Sequence, residues 1–304
     1  LTSETSDAAA AGTWQLGDLT VNRIGFGAMR LTQNGAAFGS DRGPHDRDRA
    51  IAVLRRAVEL GVNHIDTAAF YFSPLRSANE LINRALGPYA DELVITTKVG
   101  PSRRPGGDWP EWAEPEQLRG QVEENIRQLG RDHLDVVNLR MNGPAPISEH
   151  FGALAELREE GLIRHLGLSN AWPDQIVEAR AIAPVVCVQN RYGIGERRAD
   201  SEDILRTCGE LGIAFVPFYA IAAGGREAGA DLTAEHEALL DIARAHDASP
   251  AQVRLAWTLG RGPHVLAIPG TGNHAHLEAN VAAGALRLTE DEARRLTALG
   301  QGDG

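Results

Sequence analysis

Short runs of β-branched and apolar residues alternate with longer amphipathic segments along nearly the whole chain. The apolar runs predict strands over Ile24 to Arg30, His64 to Asp66, Leu93 to Lys98, Leu134 to Leu139, His165 to Leu168, Val185 to Gln189, Ala214 to Phe218 and Val265 to Ile268. The segments between and after them predict helices over Asp46 to Leu60, Ser77 to Leu86, Pro115 to Leu129, Ser148 to Glu159, Pro173 to Ala181, Ser201 to Leu211 and His274 to Gly284. In RAIAVLRRAVELG the apolar positions Ile51, Val53, Leu54, Ala57 and Val58 recur with helical spacing, and Gly61 stops the pattern. Eight strand-then-helix alternations predict an α/β fold of the closed parallel (β/α)8 TIM-barrel type.

The departures from a plain repeat are also readable. TWQLGDLTVNRI holds two short alternating runs around Gly17-Asp18, which predicts a β-hairpin closing the bottom of the barrel. Thr233 to Ala245 and Pro250 to Leu259 both read as helices ahead of the eighth strand, so one of them is extra. LTEDEARRLTALG, with Thr289 as its cap, predicts another helix beyond the barrel at the C-terminal end. Residues 1–12 read as a flexible tail and residues 13–304 as a single barrel domain. The Pro-, Gly- and Trp-rich stretch from Pro101 to Pro115 is too long for a simple connection, and at the carboxyl end of a barrel strand it is a place for substrate contacts.

Composition narrows the partners. Thirty Lys and Arg against 41 Asp and Glu give a net charge of -11, which argues against nucleic acid as the main ligand but leaves room for a local basic pocket. No apolar run reaches membrane-spanning length, and LTSETSDAAAAG lacks a basic region followed by an apolar one, so a cytoplasmic protein acting on a small molecule is expected. Nothing in the pattern fixes an oligomeric state. Cys187 and Cys208 have no metal-ligand spacing and read as reduced, structural thiols.

The candidate chemistry starts with Asp66 and Tyr71 in NHIDTAAFY and Lys98 in LVITTKV. At the ends of successive strands a carboxylate, a phenol and an amine converge on the face where barrel enzymes react, and an amine beside a phenol lowers its pKa. Such a trio can donate a proton to a carbonyl, although an Asp, a Tyr and a Lys this close in sequence are also commonly a cap, a core aromatic and a surface charge. GFGAM at Gly25 to Met29 is a fragment of a dinucleotide fingerprint without its third glycine or its helix.

Taken together, GFGAMRL, GVNHIDTAAFY, LVITTKVG, LDVVNLR, RHLGLSN, VCVQNRY and IPGTGNHAHLEAN resemble the aldo-keto reductase family over Trp14 to Leu299, and most closely its bacterial pyridoxal reductase (pyridoxine 4-dehydrogenase) branch. The resemblance implies an NAD(P)H-dependent oxidoreductase that reduces an aldehyde or ketone to an alcohol, with NADPH preferred, NADH possible and no metal. Pyridoxal is the candidate substrate of that branch. It assigns Tyr71 as proton donor, Lys98 as the group that lowers its pKa and Asp66 as the group that keeps Lys98 charged.

Many family members carry a histidine at the end of the fourth strand, where this chain has Arg140. An arginine stays charged, so it can orient a carbonyl, pair with an anionic substituent of the substrate, or form a structural ion pair. For the cofactor the resemblance points to Gly27, Met29, Asp66, Ser169, Asn170, Gln189, Phe218 or its neighbour Tyr219, Ile268, Gly270, Thr271, Asn273, His276 and Asn280. Ser169, Asn170 and Gln189 would meet the nicotinamide carboxamide, Phe218 would stack on the ring, and the loop before the His274 helix would hold the adenosine phosphate on backbone N–H groups. Members that bind the 2'-phosphate tightly often have Lys and Arg where this chain has Gly270 and His276. Gly25 and Gly27 would let the backbone approach beneath the cofactor, and the loop at Gly224-Gly225 reads either as a hinge over the pyrophosphate or as a plain surface turn.

Phe70, Trp109, Trp112, Met141, Asn142 and Tyr192 fall in loops at the catalytic face and would form a pocket for a flat ring. Two other functions fit the same motifs: a reductase or redox epimerase working on a sugar or natural-product carbonyl, and a nicotinamide-nucleotide-binding regulatory subunit with little catalysis.

Overall fold

The structure is a computed structural model that describes residues 7–34, 43, 45–104, 106–109, 112–221 and 237–299. Seven strands form one parallel sheet whose spatial order follows the chain: Phe26–Gly27, His64–Asp66, Val94–Val99, Leu134–Arg140, Ile163–Ser169, Val185–Gln189 and Ala214–Phe215. The eighth stave is held by two parallel bridges, Val265 to Phe215 and Ala267 to Ile24, which close the sheet into a barrel. Register then aligns the functional ends, because Asp66 lies beside Gly27 and Thr96, Lys98 beside Asn138, and Ser169 beside both Arg140 and Gln189.

Local sequence explains where the elements start and stop. Asp46 caps the helix Arg47–Glu59 by accepting from the Arg49 amide at 2.7 Å, and Ile51, Val53, Leu54 and Ala57 turn inward. Helix Leu118–Leu129 ends on Gly130 in the left-handed region at φ 65°, and Pro250 opens its helix inside a Ser249/Gln252 capping box. Helix Glu237–Ala245 confirms the extra helix before the eighth stave, whose expected start at Thr233 lies outside the described residues, as does Gly224-Gly225. Thr289 caps the helix Glu290–Leu299 reciprocally with Glu292.

The hairpin pairs Thr13–Leu16 with Leu19–Asn22 and inserts Leu16 and Val21 among Val94, Val136, Val186, Ala214 and Leu266 inside the barrel floor. Its turn is tied down by Asp18, which accepts from Arg164 and His165 at 2.6 Å each. A larger core lies between sheet and helices. Among the described residues no helix is long and apolar enough to cross a membrane. Both cysteines are free and buried, and burial pushes each thiol up to about 12.

Four expectations are corrected. Residues 7–12 are not a loose tail: Ala8–Ala11 form a 3-10 turn with Ala8 and Ala11 buried, and the Ala8 amide donates to the Leu60 carbonyl at 2.8 Å. The first strand is shorter than Ile24 to Arg30, because Ala28–Leu31 coil into a 3-10 turn. The seventh ends at Phe215, just before Pro217 and the left-handed Tyr219 at φ 74°. The eighth makes only the two bridges, bracketed by Pro263 and Pro269, which lack an N–H to continue a ladder.

Glycine is required where the loop after the eighth stave crosses the first strand. A Cβ on Gly27 would sit 2.6 Å from the Ile268 carbonyl oxygen, and one on Gly270 2.5 Å from that of Gly27. Gly25 instead makes room for the buried His64 ring, whose Nδ1 would be 2.4 Å from a Cβ there. Gly27→Ala should therefore strain backbone against backbone and cost about 1–3 kcal/mol. Urea unfolding should show a lower midpoint with an unchanged slope, and an unchanged midpoint would refute this crowding.

Candidate active site

The carboxyl ends of the strands open into a cleft of about 980 Å³, at the upper end of the range for small-molecule sites. At its base the Lys98 ammonium donates to both Asp66 oxygens at 2.7 Å and to the Thr67 carbonyl at 3.1 Å. The two side chains are 2% and 7% exposed. Tyr71 lies over them with the Lys98 nitrogen 4.9 Å from its ring centroid, and the charge of that amine acts on its hydroxyl. Gln189 donates from its amide nitrogen to Asp66 Oδ1 at 3.1 Å, and Asn138 donates to Gln189 Oε1 at 3.4 Å. The strands thus hold the carboxylate and the amine, while Tyr71 comes from the loop after the second strand.

That loop is fastened from three sides. The Tyr71 amide donates to the Ala68 carbonyl at 3.0 Å, and the Tyr71 carbonyl accepts from Ala78 at 2.9 Å. Thr67 donates to Asn79, which reaches Asn125, which in turn accepts from Thr97 on the third strand. Arg103, from the long loop after that strand, donates to the Phe70 and Phe72 carbonyls and lies 4.3 Å from the Phe72 ring centroid. Sequence reasoning missed Arg103 and these asparagines, because their partners are 12 to 46 residues away and leave no local pattern.

Burial and charge act in opposite directions on the pair. Burial is the largest influence on Lys98 and pulls its pKa down, but the Asp66 carboxylate and the Tyr71 hydroxyl bring it above its ordinary value. Tyr71 is also raised: burial outweighs the lowering by Lys98 and Arg140. The expectation that the amine lowers the phenol therefore holds for the direction of its own influence and not for the net result. A raised phenol stays protonated at neutral pH, which suits a group that must deliver a proton.

Of the expected cofactor residues, Gly27, Met29, Asp66, Gln189, Phe218, Tyr219, Ile268, Gly270, Thr271, Asn273, His276 and Asn280 line the cleft. Ser169 and Asn170 do not. Ser169 Oγ accepts from Arg140 at 3.1 Å, and the Asn170 side chain donates to the Met141 carbonyl at 3.2 Å. The helix His274–Ala282 caps itself, since Asn273 Oδ1 accepts from the Ala275 and His276 amides that were expected to meet a phosphate.

Basic side chains, of which only His276 was singled out from the sequence, surround that loop. The Arg30 side chain lies 3.7 Å from where a Cβ on Gly270 would be, the His45 ring fills the space beside Gly272, and Arg49 and His276 complete the group. Reading Arg30 as a strand residue hid it; it lies on the 3-10 turn that carries the chain out of the first strand. Among the described lining residues Asp66 is the sole carboxylate, against Arg30, Arg49, Lys98 and Arg140. An acidic protein thus carries a cationic cleft.

Phe70, Trp109 and Trp112 form the aromatic wall, with Phe70 edge-on to Tyr71 at 5.2 Å and to Trp109 at 5.7 Å. Tyr192 is not part of it. It is fully buried, stacked 5.6 Å from Trp257, with its hydroxyl between Glu202 and Arg261, because its ladder with Glu196–Arg197 turns it under the barrel edge. Met141 packs against the core and Asn142 faces solvent, so neither lines the cleft.

The sequence profile of the Aldo/keto reductase family matches residues 23–301. The chain belongs to the aldo/keto reductase family. It is 44% identical over 289 residues to the pyridoxine 4-dehydrogenase of Escherichia coli K12, covering 93% of this chain and 96% of that one. It is 39% identical over 303 residues to an uncharacterized oxidoreductase of Schizosaccharomyces pombe, covering 99% and 94%. Among solved structures, an aldo-keto reductase of Klebsiella pneumoniae in complex with NADPH superposes with a TM-score of 0.75 at 28% identity, over 92% of this chain and 91% of its own.

In this aldo/keto reductase, raised pKa values mean that the native state holds the Tyr71 and Lys98 protons more tightly than the unfolded chain does. Their contribution is complete below the ordinary tyrosine and lysine values and is lost as pH rises past them. An absorbance titration should show the Tyr71 signal, taken as wild type minus Tyr71→Phe, appearing only above pH ~10. Lys98→Met should leave Asp66 buried and unpaired and cost about 3–5 kcal/mol in urea unfolding, with most of it recovered by adding Asp66→Asn.

Proposed function

We propose that this protein is an NADPH-dependent carbonyl reductase in which Tyr71 is the proton donor, with pyridoxal as its substrate. The observation that carries the reading is the buried Tyr71 phenol held over the Lys98–Asp66 pair at the base of a cationic cleft. The likeness to a pyridoxine 4-dehydrogenase and to a neighbour crystallised with NADPH supports both the reaction and the cofactor.

The residues present fit a dinucleotide. Phe218 and Tyr219 offer an aromatic face on the wall of the same cleft as Tyr71, and Arg30, His45, Arg49 and His276 bring positive charge to the cleft beside the loop 270–273. The bound nicotinamide would supply a hydride to the carbonyl carbon. As negative charge grows on the carbonyl oxygen, Tyr71 donates its proton there, since an alkoxide is a far stronger base than a phenolate. Lys98 then stabilises the tyrosinate, and Asp66 keeps Lys98 charged throughout. Phe70, Trp109 and Trp112 keep water from the reacting carbonyl and present flat surfaces to an aromatic ring. Pyridoxal fits such walls. Intact acid machinery supports catalysis over a purely regulatory role.

Two measurements test this reading. NADPH oxidation should be driven by pyridoxal, and Tyr71→Phe should lower turnover by roughly 10²–10⁴-fold while NADPH still quenches tryptophan fluorescence. Full activity of Tyr71→Phe would refute the assigned donor. Arg49→Ala should weaken NADPH binding by about tenfold and leave NADH binding nearly unchanged, and equal losses for the two would remove Arg49 from the phosphate contact.

A further inference from the structure

Arg140 ends the fourth barrel strand on the wall of the cleft, and among the described residues no acidic side chain neutralises its charge. Among the described residues its side-chain hydrogen bond runs from Nη1 to Ser169 Oγ at 3.1 Å, and its guanidinium carbon lies 5.3 Å from the Phe218 ring centroid. Among the described residues no carboxylate lies in ion-pair range of it, and the cleft's sole carboxylate, Asp66, is held by Lys98. A structural ion pair, one of the roles open for this residue, is therefore excluded within those bounds. Asp66, Lys98 and Arg140 sum to one net positive charge around Tyr71, and Arg140 acts on the Tyr71 hydroxyl electrostatically.

A half-buried cation pays for lost hydration unless an anion meets it, and a guanidinium offers a planar fork whose remaining donors fit two coplanar oxygens. The carbonyl oxygen of a substrate must lie at the Tyr71 hydroxyl for proton transfer. A second oxygen that the same fork reaches must then lie close to the first and in its plane. On a flat ring, that is an oxygen on the ring carbon adjacent to the one bearing the carbonyl.

We infer that Arg140 selects aromatic aldehydes and ketones that carry an ionised oxygen ortho to the carbonyl, gripping the carbonyl oxygen and the ortho oxygen together. This rests on the reductase reading above. The ortho oxygen keeps its charge through the reaction: the hydride adds to the carbonyl carbon, the carbonyl π electrons move to oxygen, and Tyr71 supplies the proton.

The test compares 3-hydroxypyridine-4-carbaldehyde, whose ring nitrogen acidifies the hydroxyl enough to ionise it at neutral pH, with pyridine-4-carbaldehyde. An ortho oxyanion makes the aldehyde less electrophilic, so intrinsic reactivity favours the unsubstituted compound and opposes the proposal. With NADPH and the full chain, kcat/KM should favour the hydroxylated compound by roughly 10- to 100-fold. Arg140→Gln should bring that ratio close to one, and Arg140→Lys, which keeps the charge but not the fork, should fall between. Because a general defect slows both aldehydes alike, the ratio and not the rate is the readout. A wild-type ratio near one, or a ratio that survives in Arg140→Gln, overturns the proposal and leaves the reductase reading standing. Failure of wild type to reduce any carbonyl compound overturns both.

Discussion

The buried ion pair between Lys98 and Asp66 is the constraint around which the interior is arranged. Two charges removed from water are tolerated only when each finds partners, and here the ammonium uses both carboxylate oxygens and the Thr67 carbonyl. Asp66 takes a further hydrogen bond from Gln189 across the barrel, which Asn138 steadies in turn. The parallel registers make this possible, since strands two, three, four and six carry these groups at or near their carboxyl ends. The polar layer at the top of the barrel and the apolar plug of Leu16 and Val21 at its floor are two ends of one design, one reactive and one sealed.

That pair also fixes the behaviour of Tyr71. Its phenol is buried enough to stay protonated and close enough to Lys98 for the anion left after proton transfer to be stabilised. Raising the resting pKa while providing for the tyrosinate are compatible demands, because the first comes from desolvation and the second from a neighbouring charge. The loop that carries Tyr71 has little regular structure of its own, so Arg103 and the Thr67–Asn79–Asn125–Thr97 chain supply the rigidity that a strand would otherwise give.

Charge is distributed against the average of the molecule. A protein of net charge -11 concentrates Arg30, Arg49, Lys98 and Arg140 around one cleft that has a single carboxylate among the described residues. Fields focus in such a cleft, so the local sign and not the total governs which ligands approach. The other described carboxylates lie outside the cleft, several of them paired: Asp18 with Arg164, Glu160 with Arg119, Glu278 with Arg56.

What the sequence determined by itself was set by local periodicity and by motifs confined to a few residues. The alternation of strands and helices, the hairpin about Gly17-Asp18, the cap at Thr289 and the positions of Asp66 and Lys98 near strand ends with Tyr71 in the loop between were legible because each depends on neighbours in the chain. Tertiary structure alone decided what depends on distant partners. It sent Tyr192 under Trp257 instead of into the cleft and turned Ser169 toward Arg140. It also used Asn273 to satisfy its own helix and drew Arg30, His45 and Arg49 to the loop at Gly270 and Gly272. Side-chain direction at a loop is set by whichever packed element it meets, and the order of residues does not encode that meeting. The role open to Arg140 narrowed for the same reason: whether a cation has a carboxylate beside it is a fact about the folded surroundings and not about its place in the chain.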